Sequence, residues 1–305
     1  MDVSIIIVNY HTSLLIADCL NSVFNFSRGI DYEVIIIDNN SEKNFKEIIL
    51  SKIPESAYKS IHFISLPENI GFGRANNEAL KISTGRNIFF LNPDTVLLNN
   101  AIKILSDFLD SHTEAGACGG NLFDENLKPT YSYKRFLPGI FWEADELMNS
   151  IPQKIRFKQN RYFNSSNKPL EVKYVTGADL MIKREVLETT MGFRPEYFLY
   201  YEETDLCYRI IKSGWKIYSV PQAKIQHLES RSFDTSEEYQ SDFKTENLEK
   251  SRNIYYQLNK GNFEKSLGDT IYYLFLTSRI KLIKNRRKKD YYKRRLKYFK
   301  EKINC

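Results

Sequence analysis

Four short apolar runs rich in β-branched residues alternate with longer amphipathic stretches, and this alternation limits the possible folds more than any other feature. The runs cover residues 3–8, 33–37, 61–66 and 87–91. Each is too short for a buried helix and therefore predicts a strand. Strands that alternate with helices form a mostly parallel sheet covered on both faces, and ligands bind at the carboxyl ends of its strands. We therefore look for a site at these four ends.

The stretches between and after these runs predict the remaining elements. Residues 13–26 place Leu14, Ala17, Leu20 and Phe24 on one helical face, and shorter helices are predicted at 45–49 and 75–82. Residues 129–173 show no clean period and predict insertions and loops around an antiparallel part of the sheet. Ordered structure is predicted to resume at 173–183, followed by a helix at 202–213, a strand at 215–220 closed by Pro221, and helices from 237 onward.

Polar residues follow each of the four predicted strands. The first strand ends in Asn9-Tyr10-His11, the second in Asp38-Asn39-Asn40-Ser41, the third in Glu68-Asn69-Ile70-Gly71-Phe72-Gly73 and the fourth in Asn92-Pro93-Asp94. Turns alone would account for any one of these segments. Four polar ends at one edge of one sheet favour a site for the base, ribose and diphosphate of a nucleotide. The candidate binding residues are Asn9, Tyr10, Asp38, Asn40, Asn69, Gly71 and Asn92.

Three further residues are candidates for metal binding and proton transfer. Asp94 follows an apolar strand, where its carboxylate could share a divalent cation with a diphosphate, although such an Asp also caps turns. Glu203 is the candidate general base, whereas Asp205 is assigned to an i,i+4 ion pair with Arg209. His227 could complete a partial shell for Mn²⁺ or Mg²⁺, although a lone histidine is more often packed or solvated.

Seven motifs in order give the chain a resemblance to the family 2 glycosyltransferases of GT-A fold, and among them to the bacterial rhamnosyltransferase-like branch. The resemblance extends from residue 3 to about residue 232. The motifs are SIIIVNY, IIIDNNS, ENIGFGRANN, FFLNPDT, VTGADLMIKR, FLYYEETDLCYRIIKSGW and VPQAKIQH. The resemblance implies a Rossmann-like mixed α/β sheet flanked by helices, at residues 1–235, followed by a basic C-terminal helical extension at residues 236–305.

The resemblance also implies inverting transfer of a sugar from a nucleotide-diphosphate donor. Asp38 would hold the base or ribose, with Asn9 and Tyr10 beside the nucleotide. Asp94 matches the metal-binding aspartate of the family's D-x-D motif, whose first position is here Asn92, and His227 matches the histidine that completes the metal shell. The catalytic position, usually Asp, is here Glu203.

Three further residues are candidates for the donor site, and two of them, Asp179 and Arg74, have two interpretations. Gly177 and Asp179 resemble the segment that lines the donor sugar, and Asp179 could instead form hydrogen bonds in the core. Arg74 could supply positive charge near the diphosphate or could be an ordinary arginine of a helix surface.

The resemblance favours dTDP-rhamnose as the donor and a lipid-linked glycan of bacterial surface polysaccharide synthesis as the acceptor. A UDP-linked hexose, N-acetylhexosamine or galactofuranose is the alternative donor. Two other classes compete with a glycosyltransferase. One is a nucleotide-sugar-binding scaffold without catalysis. The other is a nucleotidyltransferase, which would require a Gly-rich, basic phosphate-binding loop that residues 8–15 lack.

Positive charge is concentrated near the end of the chain. Residues 279–300 carry a charge of +11, whereas the rest of the chain sums to −5. Apolar and aromatic residues are interleaved with these charges. Such a helix can lie on an anionic membrane, with about 1 kcal/mol from each nearby Lys or Arg. A solvated tail is the alternative, and nucleic-acid binding is not predicted because no motif for it accompanies the patch.

Cellular location is predicted from three negative features of the sequence. No apolar run approaches the roughly 20 residues of a membrane-spanning helix. No positively charged segment precedes the first apolar run, so no secretory signal is predicted. Cys19, Cys118, Cys207 and Cys305 lie far apart, which favours a reducing compartment and argues against a structural zinc site. We expect a cytoplasmic protein, peripheral on the inner face of the cell membrane.

Overall fold

The computed structural model of the protein describes residues 1–157, 161–228 and 237–303. The strands within these residues are β1 (Val3–Asn9), β2 (Tyr32–Asp38), β3 (Ile61–Ser65), β4 (Asn87–Leu91), β5 (Thr95–Leu97), β6 (Ala115–Phe123), β7 (Tyr133–Lys134), β8 (Leu170–Val172), β9 (Tyr174–Val175), β10 (Asp179–Lys183) and β11 (Lys216–His227).

The helices of the described residues alternate with the strands in the first half of the chain and dominate its end. They are α1 (Ser13–Phe26), α2 (Phe45–Leu50), α3 (Phe72–Leu80), α4 (Ala101–Ser111), α5 (Ile140–Leu147), α6 (Ile151–Phe157), α7 (Arg184–Thr190), α8 (Glu202–Lys212), α9 (Glu237–Asn259), α10 (Asn262–Leu282) and α11 (Arg286–Ile303), with a 3-10 helix at Glu55–Ser60.

The first four strands form the parallel half of the main sheet, in the order β3-β2-β1-β4. Their register sets Asn9 opposite Asp38, and Asp38 opposite Ser65. The polar residues that follow these strands therefore meet at one edge of the sheet. The prediction of four parallel strands with converging ends is confirmed.

The other half of the sheet is mixed. β10 runs antiparallel to β4 and to β6, and β11 is parallel to β6 but antiparallel to β5 and β8. β7 and β9 pair antiparallel in a separate two-stranded sheet. The predicted antiparallel part around residues 129–173 is confirmed, because β7 and β8 lie there.

Helices cover both faces of the main sheet. Ile5 and Ile7 of β1 point into one apolar cluster, which includes Leu20 of α1, and Ile6 points into the other, which includes Ala75 of α3. A strand buried on both faces is apolar at most positions, and this explains the runs of Ile and Val in β1 and β2. The buried polar residues Ser4 and Glu33 satisfy each other through a hydrogen bond of 2.7 Å.

Two local predictions are wrong. Leu14 is 62% exposed, because α1 packs through Ile16, Leu20 and Val23, a face rotated from the predicted one. The last strand does not close at Pro221 but continues to His227. Pro221 is tolerated because the β11 ladder to β6 is irregular between Ser219 and Lys224, where the missing amide hydrogen breaks no ladder hydrogen bond.

The C-terminal helices are attached to the rest of the molecule by a buried ion pair. Arg252 of α9, 2% exposed, donates to Glu143 of α5 at 2.8 Å and to Asp269 of α10 at 2.8 Å. α10 also packs along α5, and α11 packs on both α9 and α10. The predicted boundary between residues 235 and 236, and the end of the resemblance near residue 232, lie outside the described residues. Among the described helices, none combines the length and the apolar character needed to cross a membrane.

Candidate active site

A cavity of about 470 Å³ opens at the edge of the sheet where the parallel strands end. It is lined by segments that follow β1, β2, β3 and β4, by the start of α8 and by the end of β11. Of the residues singled out from the sequence, those that line it are Tyr10, Asn69, Gly71, Asn92, Gly177, Glu203 and His227. The structure thus gathers predicted residues from six separate segments around one space.

Asn9 and Asp38 form a buried pair at the ends of β1 and β2. Nδ2 of Asn9 donates to Oδ1 of Asp38 at 2.8 Å, and its Oδ1 accepts from the amide and hydroxyl of Thr12, both at 3.0 Å. Asp38 also accepts from the amide of Ser41 at 3.1 Å. Asn9 therefore positions Asp38 rather than lining the cavity. Asn40, with φ +64°, is exposed on the same turn.

Asn39, which sequence reasoning did not single out, connects the second and third strand ends. Its Nδ2 donates to Oδ1 of Asn69 at 2.8 Å, and its Oδ1 accepts from the amide of Ile70 at 2.9 Å. Oδ1 of Asn69 also accepts from the amide of Gly71 at 3.0 Å. These bonds fix the loop that leads into α3. Asn39 lies in the motif IIIDNNS, so the sequence contained a signal that could have identified it as a site residue.

Gly71 is required where this loop passes the segment before α8. Its φ is +88°, and a Cβ at this position would lie 2.4 Å from the carbonyl oxygen of Phe198. That carbonyl instead accepts from the amide of Phe72 at 3.1 Å. Only glycine allows this close approach of two backbones.

Asp94 and His227 come together where β4 and β11 end. The pairing of β11 with β5 sets His227 opposite Thr95, directly after Asp94, and His227 Nε2 lies 3.3 Å from Asp94 Oδ1. Both side chains are largely buried, and His227 lines the cavity. One carboxylate oxygen and one imidazole nitrogen suit Mn²⁺ or Mg²⁺ as part of a coordination shell. Within the described ranges no group of three or more acidic, His or Cys side chains gathers to form a fuller shell.

A sharp turn directs the start of α8 at the cavity. Tyr200 and Tyr201 have φ of +69° and +68°, a left-handed conformation that is unusual for two consecutive non-glycine residues. α8 begins immediately afterwards, and both Glu202 and Glu203 line the cavity. Backbone strain of this kind is found most often at functional sites.

Glu203 has one oxygen held by a neighbour. Its Oε1 accepts from the phenol of Tyr174 at 2.7 Å. Its Oε2 is buried and has no hydrogen-bond partner among the described residues. Gly177 lies alongside, since a Cβ there would stand 3.6 Å from Cγ of Glu203. The carboxylate is therefore oriented by Tyr174, and its second oxygen makes no hydrogen bond within the described residues.

Glu202 and Asp205 differ from Glu203 in their surroundings. Burial, and then repulsion from Glu203, raise the pKa of the Glu202 carboxyl well above its usual range. Asp205 is fully buried, and its carboxylate is bound by Arg209 at 2.7 Å and by Arg194 at 2.9 Å. The structural role predicted for Asp205 with Arg209 is confirmed.

Arg74 and Asp179 are not among the described residues that line the cavity. Nε of Arg74 donates to the carbonyl of Pro195 at 2.7 Å on the protein surface. Asp179 is buried in the core, where its Oδ2 accepts from the amide of Gly120 at 2.6 Å and burial raises its pKa well above the usual range. These contacts favour the structural interpretation that the sequence left open for each residue.

The C-terminal extension contributes to the cavity wall, a feature that the sequence did not reveal. Phe243 and Lys244 of α9 line the cavity, and Phe243 packs edge-to-face on Phe198 with ring centroids 6.1 Å apart. No local pattern in the sequence connects α9 with the strand ends.

Comparison with known proteins gives a match over most of the chain. The model of the family described as "Glycosyl transferase family 2" matches residues 4–190. The dTDP-rhamnosyl transferase RfbF of Shigella flexneri is 22% identical over 225 residues, which are 73% of this chain and 67% of that protein. The N-acetylglucosaminyl-diphospho-decaprenol L-rhamnosyltransferase of Mycobacterium tuberculosis is 24% identical over 221 residues, 65% of this chain and 67% of the relative.

Solved structures show the same fold. The mannosyltransferase PcManGT of Pyrobaculum calidifontis, in complex with GDP-Man and Mn²⁺, superimposes with a TM-score of 0.59 at 13% identity, over 99% of this chain and 86% of that one. GalNAc-T7 with UDP, GalNAc and Mn²⁺ gives a TM-score of 0.61 at 14% identity, over 100% of this chain and 56% of that one. The predicted mixed sheet of GT-A type with C-terminal helices is confirmed.

Proposed function

Since the chain belongs to glycosyl transferase family 2 and is a glycosyltransferase, we propose that it moves rhamnose from dTDP-rhamnose to a hydroxyl of a glycan acceptor with inversion. The named rhamnosyltransferases among its relatives support this donor. One of those relatives, by its name, acts on a lipid-diphosphate sugar, which supports a lipid-linked acceptor in bacterial surface polysaccharide synthesis. A UDP-linked hexose, N-acetylhexosamine or galactofuranose is the alternative donor.

The observation that carries the proposal is the cavity itself. One space is lined by the candidate base Glu203, by His227 of the Asp94–His227 pair, and by the strand-end residues Tyr10 and Asn69. A nucleotide-diphosphate sugar needs each of these: polar groups for the nucleotide, a charged edge for the diphosphate, and a base near the anomeric carbon. Asp38, held by Asn9, is proposed to bind the base or ribose, together with Asn40 on the same turn and Gly71 on the neighbouring loop.

Glu203 is proposed to be the general base. An acceptor hydroxyl is a poor nucleophile, so Glu203 takes its proton as the oxygen attacks the anomeric carbon. The bond between the anomeric carbon and the diphosphate breaks as the new bond forms on the opposite face, which inverts the configuration. Asp94 and His227 would hold a divalent cation, which when bound neutralises charge on the departing diphosphate.

We also propose that the protein lies on an anionic membrane surface. The apolar residues that would contact the membrane are not the ones in α11 that the sequence suggested. The apolar residues of α11 face the protein, because Phe299 is buried and Tyr292 and Leu296 pack against α10. The basic residues of its other face are exposed: Arg286, Arg287, Lys288, Lys293, Lys297 and Lys300. Apolar side chains are instead exposed on α5, α6 and α10: Phe141 at 84%, Ile155 at 74% and Phe263 at 78%.

Donor binding is tested by thermal shift and hydrolysis with a panel of nucleotide sugars, each with Mn²⁺, with Mg²⁺ and with chelator. A ligand at 100 times its Kd adds about 2.7 kcal/mol to stability. We expect dTDP-rhamnose to stabilise the protein in the presence of metal and to be slowly hydrolysed. Stabilisation by a UDP sugar alone would transfer the assignment to the alternative donor, and no shift with any nucleotide sugar would contradict the assignment of the cavity.

The role of Glu203 is tested by Glu203→Gln beside the matched variant Glu196→Gln, which changes an exposed glutamate outside the cavity. We expect Glu203→Gln to retain the donor-dependent thermal shift but to lose about 100-fold or more in transfer rate. Glu196→Gln should behave as the unchanged protein. Full activity of Glu203→Gln would overturn the assignment of the base.

Membrane contact is tested by sedimentation of the full chain with vesicles of phosphatidylcholine alone and of phosphatidylcholine mixed with phosphatidylglycerol. We expect binding only to the anionic vesicles and weaker binding at high salt. Reversal of charge at Arg286, Arg287 and Lys288 should abolish it. Reversal at the exposed residues Lys52, Lys59 and Lys128 is the matched control and should leave it intact. Equal binding to both vesicle types would contradict the proposal.

A further inference from the structure

Tyr174 is placed to control the carboxylate of Glu203. It belongs to β9, is 5% exposed, and donates its phenol hydrogen to Oε1 of Glu203 at 2.7 Å. Burial, followed by the charge of Glu203, raises the pKa of this phenol well above its usual range. The phenol therefore keeps its proton and remains a donor.

A lysine lies against the other side of the same tyrosine. Nζ of Lys134 stands 4.7 Å from the centroid of the Tyr174 ring, 4.8 Å from that of Trp142 and 5.9 Å from that of Tyr131. Lys134 is on β7, the antiparallel partner of β9, and is paired with Tyr174 in the register. Three aromatic rings around an ammonium hold it in place by cation–π attraction. The small sheet of β7 and β9 thus presents a fixed phenol and a fixed lysine side chain toward α8, and burial lowers the pKa of that lysine.

We propose that Tyr174 is a positioning residue, which binds Oε1 of Glu203 and leaves Oε2 as the oxygen that receives the proton of the acceptor hydroxyl. This inference rests on the proposed function, because it requires Glu203 to be the base. The acceptor O–H bond breaks as its oxygen bonds to the anomeric carbon, the proton passes to Oε2, and the electron pair of the breaking glycosidic bond leaves with the nucleoside diphosphate. Oε2 is the oxygen without a hydrogen bond in the part of the chain that the structure describes.

Loss of the hydrogen bond between Tyr174 and Glu203 should shift the pH profile of kcat in a defined direction. A phenol that donates to a carboxylate stabilises the ionised form, so its removal favours protonation and moves the acid limb of kcat to higher pH. The other titratable or charged groups facing Glu203 come from three elements: Lys134 from β7, Glu202 and Cys207 from α8, and Tyr200 from the turn before it. Tyr174→Phe leaves all of them in place.

The test compares Tyr174→Phe with Tyr133→Phe. Tyr133 is the neighbour of Lys134 on β7, is also buried, and donates to the backbone carbonyl of Phe163 at 3.1 Å rather than to a carboxylate. We expect Tyr174→Phe to lower kcat roughly 10- to 100-fold, with little change in the donor KM, and to move the acid limb upward. Tyr133→Phe should change neither quantity. In a Glu203→Gln background, Tyr174→Phe should cause no further loss of kcat.

A second variant keeps the test decisive if Tyr174→Phe does not fold. A fluorotyrosine at position 174 keeps the ring and strengthens the phenol as a donor, so the acid limb should move to lower pH. An unmoved acid limb, or a loss in Tyr174→Phe that persists in Glu203→Gln, would overturn the positioning role and leave Glu203 as the base. Full activity of Glu203→Gln alone would overturn the base and the positioning role together.

Discussion

Nε2 of His227 lies 3.3 Å from Oδ1 of Asp94 because the pairing of β5 with β11 brings two distant parts of the chain to one edge of the sheet. If this pair holds the cation, either side chain alone leaves an incomplete shell. We expect Asp94→Asn and His227→Ala each to lower kcat/KM roughly 100-fold and to raise the Mn²⁺ concentration needed for half-maximal activity.

The matched control for the metal pair is His62→Ala. His62 is exposed on β3, beside Glu33 and outside the cavity. Its variant should show the metal titration of the unchanged protein. An unchanged metal requirement in both Asp94→Asn and His227→Ala would contradict the assignment.

Gly71→Ala should lower the free energy of unfolding more than the same substitution does at an ordinary left-handed glycine. Gly214 has a similar φ of +91°, but a Cβ there would have no neighbour within 4 Å, so Gly214→Ala isolates the backbone penalty, about 1 to 2 kcal/mol. Gly71→Ala adds the clash with Phe198 and should lower the free energy of unfolding further, with a rise in donor KM. Chemical denaturation of both variants measures the difference. Equal losses in the free energy of unfolding would show that the loop shifts and relieves the clash with Phe198.

Glu202→Gln should stabilise the protein at neutral pH. The folded pKa of Glu202 lies above its ordinary value of 4.5, so its contribution to stability is fully present below pH 4.5 and is lost as the pH rises through the folded pKa. Each unit of that shift corresponds to about 1.4 kcal/mol. We expect melting temperatures of Glu202→Gln to exceed those of the unchanged protein at pH 7 and to converge with them below pH 4.5. Glu196→Gln, which changes an exposed glutamate outside the cavity, is the matched control.

Arg252→Met should destabilise the molecule by about 3 to 5 kcal/mol, because it leaves Glu143 without its buried cation, whereas Asp269 keeps its ion pair with Lys265. The surface pair Lys103–Asp107 gives the contrast, since Lys103→Met should cost less than about 1 kcal/mol. Urea denaturation measures both. A loss for Arg252→Met as small as that for Lys103→Met would show that the Arg252 ion pairs do not hold α9 in place.

The sequence predicted the parallel strands because strands buried on both faces are continuously apolar, as β1 and β2 show. It missed β6, whose sequence AGACGGNLF contains three glycines typical of turns. Those glycines are required by packing. A Cβ at Gly119 would lie 2.2 Å from Val175, and one at Gly120 would lie 2.6 Å from the carbonyl of Ala223. Nothing local in a sequence distinguishes a glycine that turns the chain from one that admits a neighbour.

Some residues of the candidate site could likewise be predicted from the sequence, and others could not. Tyr10, Asn69 and Asn92 were predictable because residues that follow parallel strands meet at one edge. Tyr174 and Lys134 were not, because their position depends on the pairing of β7 with β9, two strands of two residues each. The pairing of Asp94 with His227 was expected only through the family resemblance, because the two side chains meet through the pairing of β5 with β11.

Phe243 and Lys244 make the helical extension part of the pocket, and this has a consequence for engineering. A chimaera that joined the first 235 residues to the tail of another transferase would replace two wall residues along with the rest of the C-terminal helices. Its substrate preference would change even if every strand-end residue were kept. Grafting experiments on this enzyme should therefore carry α9 with the sheet and place the junction after Asn259.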